Sequence, residues 1–284
     1  MIKDNFGSKV VMITGCSTGI GHDLAQRLAQ SGYTVVATAR KVETLHDVLA
    51  TLKLSLDVTR SDSINDAVAR VIQEFGRIDV LVNNAGYAVR GAIEEVPVEQ
   101  TQQMFDANVF GVMRMIQAVV PHMRQQNAGR IINISSIVGK LVTPANGAYS
   151  ATKFALEAMS DALRLELAPF GIHVVLVEPG SIKTHFHTTV EVNAQEIFSN
   201  PHSPYQQLYD RYQKVTADMR QQEPGPEAVS RVVQHAIEAS RPKARYLAGF
   251  PFPGKLVLLL RDPVWDLVVR NMFKIHERKE LIHE

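Results

Sequence analysis

Short apolar runs that alternate with longer amphipathic stretches are the feature of this sequence that most restricts its fold. Several runs are apolar at consecutive positions, which is typical of strands buried on both faces of a parallel sheet. Strands that alternate with helices predict an α/β fold with a doubly wound sheet. The predicted strands are Lys9–Ile13, Thr34–Thr38, Leu52–Leu56, Ile78–Val82, Arg130–Ile134, His173–Val177 and Arg245–Ala248.

Two long helices stand out between these strands. Residues 101–124 place Met104, Phe110, Met113 and other apolar residues at helical spacing. A second helix is predicted from about Gly147 to Ala168, where Pro169 and Gly171 end it. Because no composition break precedes residue 190 and no repeat is present, residues 1–284 are predicted to form a single domain.

Charge and hydropathy exclude several classes of protein. Thirty basic against 29 acidic side chains give a net charge of +1, which does not support binding to nucleic acid or an acidic membrane. No run approaches the roughly 18 apolar residues of a membrane span, so we expect no spanning helix and a cytoplasmic protein. Cys16 is the only cysteine, which excludes an intramolecular disulfide. His185 and His187 form a pair without a third ligand, so no metal site is expected.

Two segments depart from the alternating pattern. Residues 181–226 are polar and rich in tyrosine and glutamine, and they follow a predicted strand. In this architecture such an insertion is a substrate-binding lid or a variable surface excursion, and its location favours the lid. The C-terminal extension 254–280 is amphipathic and unusually apolar. It either packs on its own domain or a subunit interface, or walls a lipophilic pocket or contacts a membrane surface.

A glycine-rich turn follows the first predicted strand. The sequence T-G-C-S-T-G-I-G runs from Thr14 to Gly21 and leads into an amphipathic stretch. Glycines there let the backbone approach a pyrophosphate, and the free N–H groups and dipole at a helix N-terminus favour its negative charge. The spacing G-x-x-x-G-x-G differs from the general dinucleotide fingerprint G-x-G-x-x-G. The prediction of a dinucleotide site therefore depends on the position of the turn between a strand and a helix, and not on its glycine spacing.

The end of the second predicted strand indicates which dinucleotide binds. An acidic side chain there would accept the ribose hydroxyls of NAD, whereas a basic one would accommodate the 2′-phosphate of NADP. Ala39 occupies the expected acidic position, and Arg40 and Lys41 follow it. A guanidinium holds a phosphate through paired hydrogen bonds. We therefore predict that NADP is preferred over NAD.

A tyrosine and a lysine four residues apart form the candidate catalytic pair. Tyr149 and Lys153 lie at i and i+4, on one face of the predicted helix. An ammonium about 5 Å from a phenolate stabilises it by roughly 3 kcal/mol, which lowers the phenol pKa by about two. Tyr149 then becomes a general acid or base near neutral pH. Ser136, which follows the fifth strand, is a candidate to stabilise a substrate oxyanion, and Ser135 competes with it.

These motifs together resemble the short-chain dehydrogenase/reductases. The matching pieces are T-G-C-S-T-G-I-G, Asp57-Val58, N-N-A-G at 83–86, Asn108, Ser136, Y-S-A-T-K at 149–153 and P-G-S-I-K-T at 179–184. The resemblance covers roughly residues 8–185 and implies a single-domain Rossmann fold with a seven-stranded sheet. Within the family, N-V-F-G-V-M-R-M at 108–115 and A-T-K-F-A-L at 151–156 are similar to hydroxysteroid and retinol dehydrogenases.

The resemblance also implies roles for individual residues. Tyr149 is the proton donor, Lys153 binds the nicotinamide ribose and lowers the tyrosine pKa, Ser136 orients the carbonyl, and Asn108 completes a proton relay. Residues implied to contact the cofactor are Gly15, Ser17, Thr18, Gly19, Ile20, Gly21, Arg40, Lys41, Asp57, Val58, Asn84, Ala85, Gly86, Tyr149, Lys153, Pro179, Gly180, Ile182 and Thr184. A homodimer or homotetramer is expected on the same ground.

An NADPH-dependent oxidoreductase is the function that the sequence favours. Its substrate is expected to be a lipophilic ketone, aldehyde or secondary alcohol, such as a steroid or retinoid. The lipophilic part depends on apolar residues expected to line the pocket, namely Val138, Leu141, Val142, Pro144, Phe186 and Val190. The alternative is a catalytically silent dinucleotide-sensing regulator with the same fold. A third class, a peripheral membrane or scaffold protein, would act through the C-terminal extension.

Overall fold

A parallel sheet forms the centre of the part of the chain that the computed structural model describes, residues 8–249 and 263–275. Within these residues the sheet has seven strands in the order β3-β2-β1-β4-β5-β6-β7. The order reverses between β1 and β4, so the sheet is doubly wound as the sequence predicts. The strands are β1 (Val10–Ile13), β2 (Thr34–Ala39), β3 (Leu52–Ser55), β4 (Val80–Asn83), β5 (Gly129–Ile134), β6 (Ile172–Pro179) and β7 (Arg245–Ala248).

Helices cover both faces of the sheet. They are α1 (Gly19–Gln30), α2 (Ser61–Phe75), α3 (Val98–Phe105), α4 (Gly111–Gln125), α5 (Gly147–Leu167), α6 (His185–Phe198), α7 (Gln206–Arg220), α8 (Glu227–Glu238) and α9 (Pro263–Phe273). Alternate strand residues point to opposite faces. Val11 and Ile13 pack with α1 and α8, whereas Met12 packs with α2 and α4. Strands buried on both sides explain the continuous apolar runs in the sequence.

The helix predicted over residues 101–124 is divided by a change of winding. It begins earlier, as α3, and passes through a π-helical segment, Asp106–Phe110, into α4. A π turn accommodates one residue more than an α turn, and such turns are common at functional sites. Apolar spacing carries no signal for this insertion, so the sequence did not predict it. The segment contains Asn108, which is 1% exposed.

The insertion between β6 and α8 folds into helices α6 and α7 rather than an irregular loop. Its anchor is Tyr209, which is 1% exposed and stacks on Phe198 with ring centres 4.5 Å apart. The Tyr209 hydroxyl accepts a hydrogen bond from the Ala92 N–H at 3.0 Å and donates one to the Glu95 carboxylate. These contacts fix the insertion to the loop that follows β4.

The described part of the C-terminal extension packs against the same insertion. Phe273 of α9 stacks on Tyr212 of α7 with ring centres 6.1 Å apart. The Trp265 indole donates a hydrogen bond to the Val142 carbonyl at 2.7 Å. Residues 254–262 and 276–280 of the predicted extension lie outside the described residues. Within the described ranges, no helix combines the length and apolar character needed to cross a membrane.

Candidate active site

The glycine turn between β1 and α1 leaves no room for a side chain at Gly15 or Gly21. Gly15 has a φ of +74°, and a Cβ there would lie 2.9 Å from the Cα of Ala85. A Cβ at Gly21 would lie 2.3 Å from the Gly15 carbonyl oxygen. Thr18 makes no side-chain cap on α1, so the first N–H groups of this helix remain available for a ligand. This narrow, donor-rich turn fits the pyrophosphate of a dinucleotide.

The end of β4 closes the glycine turn from the other side. Thr14 Oγ1 accepts hydrogen bonds from the N–H groups of Asn84 and Ala85, each at 3.0 Å. The Asn84 amide donates to the carbonyls of Thr14 and Gly15, each at 2.9 Å. A Cβ at Gly86 would lie 2.8 Å from Asn108 Oδ1. Thr14, which was not predicted as a site residue, holds the two motifs together from the first position of the turn.

The segment after β6 reaches the same place. Gly180 N–H donates to the Ala248 carbonyl at 2.9 Å, which fixes the end of β6 beside β7. Ile182 is buried, and Thr184 caps α6 by accepting from the Phe186 N–H at 3.3 Å. A Cβ at Gly19 would lie 3.2 Å from the Thr184 side chain. The structure therefore brings Pro179–Thr184 and the glycine turn together.

The predicted cofactor residues after β2 and β3 differ in exposure and partners. Arg40 and Lys41 are exposed at the end of β2, whereas Ala39 is buried. Asp57 accepts hydrogen bonds from the N–H and hydroxyl of Thr59, at 3.0 and 2.8 Å. One oxygen of Asp57 thus shapes the turn into α2. Val58 packs closely on Gly111. In the glycine turn, Ser17 and Ile20 are half-buried and Thr18 is exposed.

Tyr149 and Lys153 lie in the first turns of α5, as predicted. Tyr149 is 7% exposed, and so is Lys153. Lys153 Nζ donates a hydrogen bond to the Ile134 carbonyl at 2.8 Å and lies 5.7 Å from the centre of the Tyr149 ring. The end of β5 therefore fixes the lysine beside the tyrosine.

Burial governs the ionisation of both side chains. It raises the pKa of Tyr149 to about 12, against the opposing charge of Arg90. It lowers the pKa of Lys153 to about 8, against the opposing charge of Glu157. The i, i+4 spacing predicts that Lys153 lowers the tyrosine pKa toward neutrality. The structure differs, because removing both groups from water disfavours both charged forms.

Asn108 and Ser136 lie at the boundaries of the same site. The Asn108 amide donates to the Tyr87 carbonyl at 2.9 Å and the Thr152 hydroxyl at 3.2 Å, and Oδ1 accepts from the Tyr87 N–H at 3.1 Å. Ser136 is half-buried, and its hydroxyl lies 3.4 Å from the Pro179 carbonyl. Ser135, its competitor, is 3% exposed, and its hydroxyl has no hydrogen-bond partner in the part of the chain that the structure describes.

Half of the predicted pocket residues pack with the tyrosine. Val138, Phe186 and Val190 share one apolar cluster with Tyr149, and the Phe186 ring centre lies 5.9 Å from that of Tyr149. The other three, Leu141, Val142 and Pro144, are outside this cluster. Val142 is 43% exposed, and its carbonyl is bound by Trp265 instead. The prediction grouped them by apolar character, which does not reveal the path of the loop.

Arg90 and His187 are further side chains at the site. The Arg90 guanidinium lies over the Tyr149 ring, 4.8 Å from its centre. Arg90 was not predicted as a site residue, although it is a single cation among apolar neighbours in the stretch Y-A-V-R-G-A-I at 87–93. His187 Nε2 lies 3.2 Å from the Glu223 carboxylate, and burial lowers the His187 pKa against the attraction of that carboxylate.

Comparison with known proteins identifies the family. A family model described as short chain dehydrogenase matches residues 9–195. Human 17-beta-hydroxysteroid dehydrogenase type 1 is 36% identical over an alignment of 284 residues. The alignment covers 93% of this chain and 85% of that protein. The 3-ketodihydrosphingosine reductase of Bacteroides thetaiotaomicron is 45% identical over 178 residues, 63% of this chain and 65% of that reductase.

A solved structure agrees with these matches. A short-chain dehydrogenase from Streptomyces avermitilis has a TM-score of 0.76 and 32% identity, covering 94% of this chain and 96% of that one. Other similar structures contain NADP or NADH, so the fold binds nicotinamide dinucleotides. With a matching family model, a shared sheet and a glycine turn shaped for a dinucleotide, the chain belongs to the short-chain dehydrogenases, oxidoreductases that act on CH–OH or C=O groups.

Proposed function

We propose that this protein reduces lipophilic ketones or aldehydes with NADPH, or oxidises the corresponding secondary alcohols. The observation that carries the proposal is the position of Tyr149, whose ring is buried among Val138, Phe186 and Val190 with Lys153 beside it. Steroids, retinoids and similar bulky apolar carbonyl compounds match such surroundings. A buried, largely apolar wall favours ligands that lose water easily.

The chain's own residues supply the proton and the orientation. In reduction, Tyr149 Oη donates its proton to the substrate oxygen as the carbonyl carbon accepts a hydride. The bound nicotinamide supplies that hydride. Protonated Lys153 stabilises the phenolate that remains and binds the nicotinamide ribose. Ser136 donates a hydrogen bond to the carbonyl oxygen, and Asn108 links Tyr149 to water for reprotonation.

Absorbance of NADPH against a panel of carbonyl compounds tests the chemistry. The panel contains steroids, retinal, medium-chain ketones and small polar carbonyls. We expect turnover of a bulky apolar compound and a loss of about 10²-fold or more in Tyr149→Phe, because the proton donor is removed. Tight NADPH binding without turnover on any compound would contradict the proposal. Faster turnover of the small polar carbonyls would contradict its lipophilic part.

NADP preference is proposed from the end of β2. Arg40 and Lys41 are exposed there, next to the glycine turn, and the preceding Ala39 offers no carboxylate to ribose hydroxyls. We expect NADPH to bind about tenfold or more tightly than NADH, since charge-assisted bonds to the 2′-phosphate are worth about 1.5–3 kcal/mol. Arg40→Ala is expected to remove most of this ratio, whereas Arg60→Ala, which breaks a surface pair with Asp62, is the control. Equal dissociation constants in the wild type would refute the preference.

The segment 181–226 is proposed as the substrate-binding lid. It contributes Phe186 and Val190 to the apolar wall beside Tyr149. Phe186→Ala is expected to raise the KM of a bulky ketone more than that of a small one, since it removes contact area rather than chemistry. Equal effects on both ketones would assign this ring a structural role.

A homodimer or homotetramer is proposed from the outer faces of α4 and α5. Phe154 is 43% exposed and Leu165 is 68% exposed on α5, and Phe110 and Met113 are 47% and 39% exposed at the start of α4. Exposed apolar patches of this kind mark interaction surfaces. Light scattering is expected to give an oligomer that Phe154→Glu dissociates and that Leu49→Glu, at an exposed site after β2, leaves intact. A monomeric wild type would contradict this.

A further inference from the structure

Arg90 is a charged side chain at the site that the proposed chemistry does not use. Its guanidinium covers one face of the Tyr149 ring, 4.8 Å from the centre. Its Nε and Nη1 atoms are buried and have no hydrogen-bond partner among residues 8–249 and 263–275. The contact with the ring is a cation–π interaction, which does not replace the acceptor oxygens that the Nε and Nη1 donors of a guanidinium require.

Two carboxylates of the segment 181–226 have partners other than Arg90. Glu223 lies against His187 and accepts a hydrogen bond from the Ser181 hydroxyl. Glu191 pairs with Arg220 on the neighbouring helix. The protein therefore directs these carboxylates to groups other than Arg90.

A buried guanidinium without a partner is costly. An arginine does not lose its charge by deprotonation in a protein. Leaving its donors unpaired carries the full desolvation penalty of a charged group. A ligand that brings an anionic oxygen group to these donors recovers this free energy. A carboxylate matches a guanidinium in charge and in planar geometry.

The surroundings define the rest of that ligand. Arg90 and Phe186 both contact the Tyr149 ring, and Val138 and Val190 complete the apolar cluster. A substrate whose carbonyl oxygen meets the Tyr149 hydroxyl thus places its next few atoms within reach of one cation and several apolar side chains.

We propose that Arg90 binds a carboxylate of the substrate, carried a few bonds from the reacting carbonyl, and that the substrate is an apolar oxo acid. This inference rests on the proposed function, because it assigns Tyr149 to the reacting carbonyl. It narrows the lipophilic class to members that carry one acidic group.

Benzoylpropionic acid and its methyl ester are the matched probes, since they share a ketone and an apolar body and differ in charge. We expect the wild type to favour the acid in kcat/KM by about 10- to 100-fold, the value of a charge-assisted hydrogen bond. In Arg90→Met this acid-to-ester ratio is expected to fall toward one, mainly through KM. Arg90→Lys keeps the charge without the fork, so an intermediate ratio is expected.

Arg124→Met is the matched control. Arg124 also lies over an aromatic ring, 5.3 Å from the centre of Phe170, but outside the site. This variant is expected to keep the wild-type ratio. A wild type without preference for the acid would overturn the inference. An Arg90→Met variant in which kcat/KM falls equally for the acid and the ester would also overturn the inference, since Arg90 would then act only through Tyr149.

Binding separates this inference from the proposed function. Calorimetry measures the dissociation constant of each probe for the NADPH complex of wild type and Arg90→Met. Should neither probe be reduced, the proposed function fails for this class of ketone. Weaker binding of the acid alone to Arg90→Met, by about tenfold or more, still supports the carboxylate site. Unchanged binding of the acid overturns it.

Discussion

The pKa of Lys153 gives the sharpest prediction, since Glu157 controls it from one helical turn away. Burial lowers this pKa from 10.5 to about 8, which corresponds to about 3 kcal/mol in favour of the neutral amine. The Glu157 carboxylate acts in the opposite direction and keeps the lysine protonated at neutral pH. Replacing Glu157 with glutamine removes that support at nearly constant volume.

The magnitude follows from the neighbours of Glu157. Neighbours at i and i+4 on a helix lie about 6 Å apart, and two charges at that separation and an effective dielectric of about 20 interact by about 3 kcal/mol. Lys140 and Arg245 share the same carboxylate, at 3.1 and 3.0 Å, and Glu178 becomes easier to ionise when its buried neighbour is neutral. We therefore expect Glu157→Gln to lower the pKa of Lys153 by about one rather than by the full amount.

The pH profile of kcat/KM for NADPH reports the free enzyme and so measures this pKa. Because the pKa of Lys153 in the folded protein is about 8, the lysine is charged below that pH and neutral above it. Reduction is expected to decline above about pH 8 in the wild type and above about pH 7 in Glu157→Gln, because a neutral amine no longer stabilises the tyrosine phenolate.

Asp161→Asn is the matched control for this measurement. Asp161 lies one turn farther along α5 and also binds Arg245, at 2.6 Å. The wild-type profile is expected in this variant, since Glu157 keeps its charge. A decline at the same pH in wild type and Glu157→Gln, with circular dichroism showing both folded, would refute the electrostatic reasoning.

Three further outcomes follow from the fold. Gly21→Ala is expected to weaken NADPH binding by about tenfold or more and to lower the Tm, because the new Cβ meets the Gly15 carbonyl; calorimetry showing wild-type affinity would contradict this. Burial, with Glu157 nearby, raises the pKa of Glu178 to about 7, so stability is greatest below about pH 4.5 for this group and is lost as pH rises through about 7. The free energy of unfolding in urea should fall as the pH rises in the wild type and not in Glu178→Gln. The same dependence on pH in both proteins would contradict this. Burial raises the pKa of Cys16 to about 12, so native protein should resist alkylation at pH 8, which rapid labelling would disprove.

Strands and the central helices follow from local patterns. β7 spans the predicted residues, and β1 begins at Val10 rather than Lys9. Buried strands leave a continuous apolar signal because both faces are covered. The tyrosine and lysine were predictable for a similar reason, since i and i+4 on one helix fix their proximity without knowledge of other elements.

Features that arise from tertiary contacts were not predictable in the same way. The sequence of α7 is polar, and its helix is held by Tyr209, whose partners Ala92 and Glu95 lie more than a hundred positions earlier. The pKa of Tyr149 depends on how completely the fold removes the ring from water, which spacing does not report. The place of Arg90 at the site likewise depends on its contact with the Tyr149 ring, which comes from another part of the chain.

The two ends of the segment between β6 and α8 meet at a narrow neck. The Lys183 N–H donates to the Pro224 carbonyl at 2.9 Å, and the Ser181 hydroxyl donates to Glu223. Because β6 and β7 pair directly along Leu176–Pro179, the sheet does not depend on what lies beyond that neck. We therefore expect that the segment can be exchanged as a unit. Replacing it with the corresponding segment of a relative should change which substrates bind and leave the sheet and the glycine turn unchanged.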